Sequence, residues 1–206
     1  MARLVFDFDG TLADSLTVAL EVVNSMQFTR PLTLDDYYAL RNLPTRLILK
    51  DLGVPVWKVP KLAARGKQLL KKQAHRLTPY PGIPALIAQL HKDGHRLSIV
   101  SSNSPEIVHN FLGRYKLEEY FESVTGNVGV FGKTAVLKKL RRQFDGGDTA
   151  FYIGDETRDI DAARKSGMQM IAVGWGYNGV EVLRKRMPEY LVMKPQEIRD
   201  IAKGNQ

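Results

Sequence analysis

The chain has 206 residues, 44% of them hydrophobic, and a net charge of +8, so it can bury a core large enough for one domain with an insertion. It contains no Cys, which excludes disulfide bonds and thiolate metal sites and fits a reducing cytoplasm. The N-terminal apolar run is short and interrupted by acids, and no later run reaches a spanning length; we therefore expect a soluble cytoplasmic protein without a signal peptide or membrane span.

The first predicted element is an apolar strand that ends in two carboxylates, in the run Arg3-Leu-Val-Phe-Asp-Phe-Asp9. Gly10 follows at once and allows the backbone to turn sharply away from the strand. After it, residues 14–80 contain almost only helical patterns, and this interval is far longer than one crossover helix needs. We interpret it as a helical cap inserted into a core formed by residues 1–13 and 81–206.

Four helices are predicted within the cap. They cover Leu16 to Met26, a segment beginning at Thr33 with Asp36 in a capping-box arrangement, Thr45 to Leu52, and Lys58 to His75. No Asp or Glu occurs between Leu52 and Lys92, and the eight Lys and Arg residues there equal the whole positive excess. Such a stretch can attract an anionic substrate or a nucleic acid, although the solvated face of a basic helix is the simpler interpretation.

Beyond the cap, strands and helices alternate. Strands are predicted at Leu97 to Val100, Phe121 to Val124, Ala150 to Ile153 and Met170 to Val173, with a weaker one at Tyr190 to Val192. Helices are predicted at Ile83 to Lys92, Pro105 to Leu112, Lys133 to Gln143, Arg158 to Ser166 and Pro195 to Ala202. This alternation predicts an α/β fold, with a parallel Rossmann-like sheet covered by helices on both faces.

The pair Asp7 and Asp9 is the strongest chemical signal. Alternation along a strand puts both carboxylates on the same side, where they repel each other unless a cation or a reaction uses them. One Asp can act as a nucleophile and form an aspartyl phosphate, while the other exchanges a proton with the leaving oxygen and the attacking water. A helix cap beside a turn would explain one of these residues but not both.

Three weaker signals lie further along the chain. Asp155 and Asp159 stand one helical turn apart after a strand, and such oxygen ligands suit Mg²⁺, although Asp155 alone could be a helix cap. Ser101 and Ser102 end another strand, where a hydroxyl can hold a phosphate or simply cap a helix. Lys133 opens a predicted helix against its dipole, which indicates a separate use such as neutralising a phosphoryl group.

These four motifs, in this order, resemble the haloacid dehalogenase-like phosphatase superfamily, and most closely its phosphoglycolate phosphatase-like branch with a small helical cap. The resemblance covers nearly the whole chain. It implies that the first strand lies between the second and fourth strands of the core, so that Asp7, Ser101 and Asp155 meet at one edge of the sheet.

The resemblance also implies a role for each motif residue. Asp7 would be the nucleophile and a Mg²⁺ ligand, and Asp9 the acid and base, which also offers its backbone carbonyl to the metal. Asp155 would be the remaining protein ligand, with Asp159 supporting it. Ser101 and Ser102 would bind the phosphate, and Lys133 would neutralise it.

The implied function is Mg²⁺-dependent hydrolysis of a small phosphomonoester by a monomer or homodimer. Arg41 and Arg46 lie in a stretch that resembles the family's substrate-specificity loop, where either could bind a carboxylate or second phosphate; a surface Arg is the alternative. Two other functions stay open: a phosphomutase of the β-phosphoglucomutase type, and a basic module that binds nucleic acid.

The run from Gly174 to Gly179 matches a dinucleotide fingerprint literally but lacks the strand–helix–strand context that the fingerprint needs. We interpret it as a loop beside the active-site mouth, with Trp175 lining that mouth or packing beneath the loop.

Overall fold

The computed structural model describes residues 1–25, 31–43, 50, 53–129, 132–144 and 147–204. Its strands are β1 (Ala2–Phe6), β2 (Ala13–Asp14), β3 (Thr78–Pro79), β4 (Arg96–Val100), β5 (Phe121–Thr125), β6 (Thr149–Gly154), β7 (Gln169–Val173) and β8 (Tyr190–Val192). Its α-helices are α1 (Leu16–Ser25), α2 (Leu34–Leu40), α3 (Val59–Gln73), α4 (Ile83–Lys92), α5 (Pro105–Arg114), α6 (Lys133–Gln143), α7 (Thr157–Ser166), α8 (Val180–Lys185) and α9 (Pro195–Gly204).

Six of the strands form one parallel sheet in the order β5-β4-β1-β6-β7-β8. The predicted α/β fold is confirmed, and β1 lies between β4 and β6, which are the second and fourth predicted strands of the core. Parallel strands all end at the same edge of a sheet, so this order gathers the polar residues that follow β1, β4 and β6.

Helices cover both faces of the sheet and create two hydrophobic cores. Leu4 and Phe6 of β1 belong to one core, whereas Val5 between them belongs to the other. Because successive side chains of a strand point to opposite faces, a strand buried on both sides is mostly apolar. This explains the apolar run from Leu4 to Phe6, whereas the buried Arg3 near the start of β1 is paired with Asp148 and Glu122.

The predicted cap, residues 14–80, contains α1, α2 and α3, and α1 packs against α3. Thr33 and Asp36 form the predicted capping box at the start of α2, with Thr33 Oγ1 accepting from the Asp36 amide at 3.1 Å. The helix predicted at Thr45 to Leu52 lies outside the described residues except for Lys50, which is helical. Within the described residues, no helix is both long enough and apolar enough to cross a bilayer.

Two features were not predicted from the sequence. Strands β2 and β3 pair antiparallel and join the two segments that lead into and out of the predicted cap. Helix α8 follows the loop after β7. Each of these strands has two residues and α8 has six, so none is long enough for a hydrophobic period to identify it.

Candidate active site

The predicted motif residues meet at the carboxyl edge of the sheet. Asp7 follows β1, Ser101 follows β4, and Asp155 follows β6, and all three side chains are buried. The Asp7 backbone amide donates to the Ile153 carbonyl at 2.8 Å. This hydrogen bond extends the β1–β6 pairing by one residue and fixes the position of the Asp7 backbone. The shared edge follows from the parallel strand order.

Lys133 forms a buried ionic contact with two carboxylates. Its Nζ atom lies 2.5 Å from Asp7 Oδ2 and 2.7 Å from Asp159 Oδ1, and only 3% of the residue is exposed. Burial opposes its charge, but Asp7 and Asp159 hold the pKa of Lys133 well above its usual value, so the ammonium stays charged. Burial raises the pKa of Asp7 to about 7, against the opposite influence of Lys133.

Asp9 is held at one oxygen and free at the other. Its Oδ2 accepts a hydrogen bond from Asn103 Nδ2 at 2.7 Å, whereas its buried Oδ1 has no hydrogen-bond partner among the described residues. Burial raises the pKa of Asp9, while the Ser15 hydroxyl and the Asn103 amide lower it less. The net shift favours the protonated carboxyl that a general acid needs.

Ser101 and Asn103 form one turn after β4. The Asn103 backbone amide donates to Ser101 Oγ at 3.0 Å, and the Ser101 side chain is fully buried. Ser102 lies between them and is half-buried. Asn103 therefore links the predicted phosphate-binding hydroxyl to Asp9, a role that sequence reasoning missed because no local pattern indicates a contact 94 residues away.

Asp155 is held tightly against the loop after β1. Its Oδ1 accepts from Thr11 Oγ1 at 2.9 Å and its Oδ2 from the Tyr177 amide at 2.7 Å. Gly10 has φ +73°, and a Cβ there would lie 2.2 Å from Asp155 Oδ2. Gly10 is thus required both for the turn and for the space that the Asp155 carboxylate occupies.

Asp7, Glu156 and Asp159 bring carboxylate oxygens within 4.8 Å of one another. Among the described residues, negative side chains outnumber positive ones at this edge of the sheet. The positive side chains are Lys133 and Arg158, and the five carboxylates are those of Asp7, Asp9, Asp155, Glu156 and Asp159. Hard oxygen donors with excess negative charge suit a divalent cation such as Mg²⁺. The residues therefore fit the metal that the sequence implied.

Glu156 is the member of this cluster that sequence reasoning missed. The sequence indicated Asp7 and Asp155 as side-chain ligands, with Asp159 in support. Glu156 directly follows Asp155, so a second acid in that motif was the available signal. In the structure it joins the cluster while its side chain also pairs with Arg158.

Arg41 lies where α2 meets the loop after β7. Its Nη1 atom is 3.4 Å from the Gly176 carbonyl, and its guanidinium lies 5.2 Å from the centre of the Tyr38 ring. Arg46, the other predicted substrate-binding Arg, lies outside the described residues.

Trp175 donates from Nε1 to the Thr11 carbonyl at 3.1 Å, so its indole is fixed against the loop after β1.

Comparison with known proteins gives consistent similarities. The model of a family described as haloacid dehalogenase-like hydrolase matches residues 4–173. A phosphoglycolate phosphatase of Synechococcus elongatus is 34% identical over 203 residues, covering 96% of this chain and 95% of that protein. A phosphoglycolate phosphatase of Aquifex aeolicus is 28% identical over 211 residues, with 96% and 95% covered. A solved haloacid dehalogenase-like family hydrolase of Streptococcus pneumoniae has a TM-score of 0.76 at 18% identity, with 98% of each chain covered, and supports the fold alone.

Proposed function

The chain belongs to the haloacid dehalogenase-like hydrolase family, and we propose that it hydrolyses a small phosphomonoester through an aspartyl phosphate on Asp7, with Mg²⁺ as cofactor. One observation carries the proposal: the buried Asp7 carboxylate contacts Lys133 and lies two residues before Asp9, whose Oδ1 is free. The phosphoglycolate phosphatase relatives, matched over nearly their whole length, support 2-phosphoglycolate as the first substrate to test.

Asp7 supplies the nucleophilic oxygen. The adjacent Lys133 ammonium remains charged and offsets the negative oxygens of the phosphoryl group during transfer. A bound Mg²⁺ would add further charge neutralisation and orient the phosphate, and Asp7, Glu156 and Asp159 are the residues that would hold it, with Asp155 beside them. The ester bond to the leaving oxygen breaks as the bond from Asp7 to phosphorus forms.

Asp9 moves the proton in both half-reactions. Its Oδ1 carries the proton to the leaving oxygen and later removes one from the water that hydrolyses the aspartyl phosphate. Asn103 keeps the other oxygen of Asp9 fixed, so the carboxyl cannot rotate freely. Ser101 accepts the Asn103 amide at Oγ, which leaves its own hydroxyl proton available for a phosphate oxygen.

The substitution Asp7→Asn tests the proposal because it removes the nucleophile with little change in size. We expect it to abolish Mg²⁺-dependent phosphate release from a panel of phosphomonoesters that includes 2-phosphoglycolate, while circular dichroism shows an intact fold. Asp35→Asn, at an exposed site in the first turn of α2, is the matched control and should remain fully active. Substantial residual Mg²⁺-dependent activity in Asp7→Asn would reject the assignment.

A further inference from the structure

The loop formed by residues 174–179, here called the glycine loop, contacts Asp155 at the carboxyl edge of the sheet on one side. The Tyr177 amide donates to Asp155 Oδ2, and the Asn178 amide donates to the Asp155 carbonyl at 3.3 Å. The Tyr177 hydroxyl lies 2.7 Å from Ser15 Oγ. Tyr177 therefore contacts Asp155 through its backbone amide and Ser15, next to β2, through its hydroxyl.

The opposite side of the glycine loop contacts α2 and the residues that follow it. The Tyr37 hydroxyl donates to the Tyr177 carbonyl, and Arg41 donates to the Gly176 carbonyl. The Gly179 amide donates back to the Arg41 carbonyl at 3.3 Å. One residue, Tyr177, therefore contacts Asp155 through its amide and α2 through its carbonyl.

Steric limits show how closely the glycine loop is enclosed. A Cβ at Gly176 would lie 2.3 Å from Asp155 Cβ, and a Cβ at Gly179 would lie 1.8 Å from Asn42 Oδ1. Both distances are far below van der Waals contact, so any other residue at position 176 would displace Asp155, and one at position 179 would push the Asn42 side chain aside. The glycines that resemble a dinucleotide motif in the sequence instead allow the glycine loop to fit between these two groups.

We infer that Tyr177 is a positioning residue that couples the docking of α2 to the placement of Asp155. When α2 is docked, the Tyr177 carbonyl is held from one side, and its amide and hydroxyl are directed to Asp155 and Ser15 on the other. When α2 leaves, the glycine loop loses three hydrogen bonds, and Asp155 loses the fixed donor at Oδ2. The catalytic meaning of this coupling rests on the proposed function, but the coupling itself is testable without any activity.

Amide hydrogen exchange measured by NMR tests the coupling directly. The substitution Tyr37→Phe removes only the hydroxyl that contacts the Tyr177 carbonyl, and Tyr38→Phe is the matched control at an exposed neighbour. We expect Tyr37→Phe to accelerate exchange about fivefold to tenfold at both the Gly179 and the Tyr177 amides, as the loss of about one net hydrogen bond predicts. Acceleration at Gly179 alone, or at neither amide, would overturn the coupling.

Steady-state kinetics then tests the positioning role. Tyr177→Phe keeps the backbone donor to Asp155 but removes the hydroxyl beside Ser15, and we expect kcat to fall about fivefold to tenfold while KM changes by less than about twofold. Tyr38→Phe should leave both constants unchanged. A purely structural role would lower the melting temperature of Tyr177→Phe and leave kcat unchanged, which would also overturn the inference. If the unmodified chain hydrolyses no phosphomonoester, the proposed function fails, whereas the exchange result still decides the coupling.

Discussion

At the scale of single residues, burial favours the protonated form of Asp9, which its proposed role as general acid requires. One carboxylate oxygen is fixed by Asn103, and the other is enclosed without a hydrogen bond from the described residues. Burial penalises the charged carboxylate of Asp9 more than its hydrogen bonds stabilise it, so the raised pKa favours the neutral form. The local environment thus gives the second Asp of the motif a different protonation preference from an exposed carboxylate.

This difference predicts the behaviour of Asp9→Asn. We expect kcat for an alkyl phosphomonoester to fall by about 10²- to 10⁴-fold, the range typical of general acid–base catalysis. Nitrophenolate leaves without a proton. The rate of the first-turnover burst with p-nitrophenyl phosphate, which reports phosphorylation of Asp7 alone, should therefore fall by less than about tenfold. Equal losses in the two measurements would contradict the role of Asp9 as the acid.

His95 shows the opposite effect of burial on a basic side chain. Its Nδ1 atom accepts from the Ala2 amide at 3.3 Å, and its Nε2 atom has no partner among the described residues. Burial lowers the pKa of His95 below the usual 6.5. The unfolded chain therefore takes up this proton at a higher pH than the folded chain, so folding stability is lost as the pH falls below about 6.5.

The variant His95→Gln should remove this contribution. We expect its free energy of unfolding, measured by urea denaturation at pH 7.5, 6.5 and 5.5, to fall less with acidification than that of the unmodified chain. Gln can still accept the Ala2 amide, so the comparison isolates the charge. His109→Gln, at an exposed residue paired with Glu118, is the control. An unchanged pH dependence in His95→Gln would contradict the prediction.

At the scale of elements, the core helix α5 stabilises the C-terminal end of α3. Arg114 donates to the Ala74 carbonyl at 3.1 Å, to the Leu77 carbonyl at 3.0 Å and to the His75 carbonyl. The Tyr115 hydroxyl donates to the Leu77 carbonyl at 3.2 Å. These carbonyls directly follow α3, where no further helical turn supplies donors; the Ala74 carbonyl also accepts from the Leu77 amide at 3.2 Å, and the α5 side chains add to that bonding.

Arg114→Met keeps the aliphatic stem but removes these donors. We expect the free energy of unfolding to fall by about 1 kcal/mol, a modest value because Arg114 is exposed and water can replace part of the lost bonding. Arg142→Met, at an exposed residue in the last turn of α6, is the matched control for loss of a surface charge. Equal destabilisation of both variants in urea denaturation would show that the carbonyl contacts contribute nothing.

At the scale of the whole molecule, the sheet concentrates negative charge from distant parts of the chain. Asp7 comes from the end of β1, whereas Glu156 and Asp159 follow β6, and their carboxylates repel one another in the buried cluster. A divalent cation would relieve that repulsion only in the folded state. The fold and the metal should therefore stabilise each other.

Metal removal and addition test this linkage. We expect the EDTA-treated protein to lose phosphatase activity and Mg²⁺ at about 100 times its dissociation constant to raise the free energy of unfolding by about 2.7 kcal/mol. Calorimetric titration should show weaker Mg²⁺ binding in Glu156→Gln and unchanged binding in Glu181→Gln, an exposed residue at the start of α8. If Asp155→Asn abolishes binding while Glu156→Gln leaves it intact, the ligand set inferred from the sequence is correct and the geometric one is wrong.

The sequence by itself determined the motif residues and the helices and strands apart from β2, β3 and α8 among the described residues. The apolar run of β1, the amphipathic helices and the Thr33 capping box depend on residues close together in the chain, so local patterns were sufficient to predict them. The resemblance carried by the DFDGTL and GDETRD runs, both read from the sequence, implied the sheet order around β1, which the strand pairing confirms.

Only the tertiary structure decided which side chains touch at the edge of the sheet. The contacts of Asn103 with Asp9 and of Tyr177 with Ser15 join residues 94 and 162 positions apart, and Glu156 enters the acidic cluster through the turn after β6. Such contacts depend on how loops after neighbouring strands bend toward one another. No hydrophobic period or capping pattern encodes that bend, because it is set by the space and donors that the other loops leave.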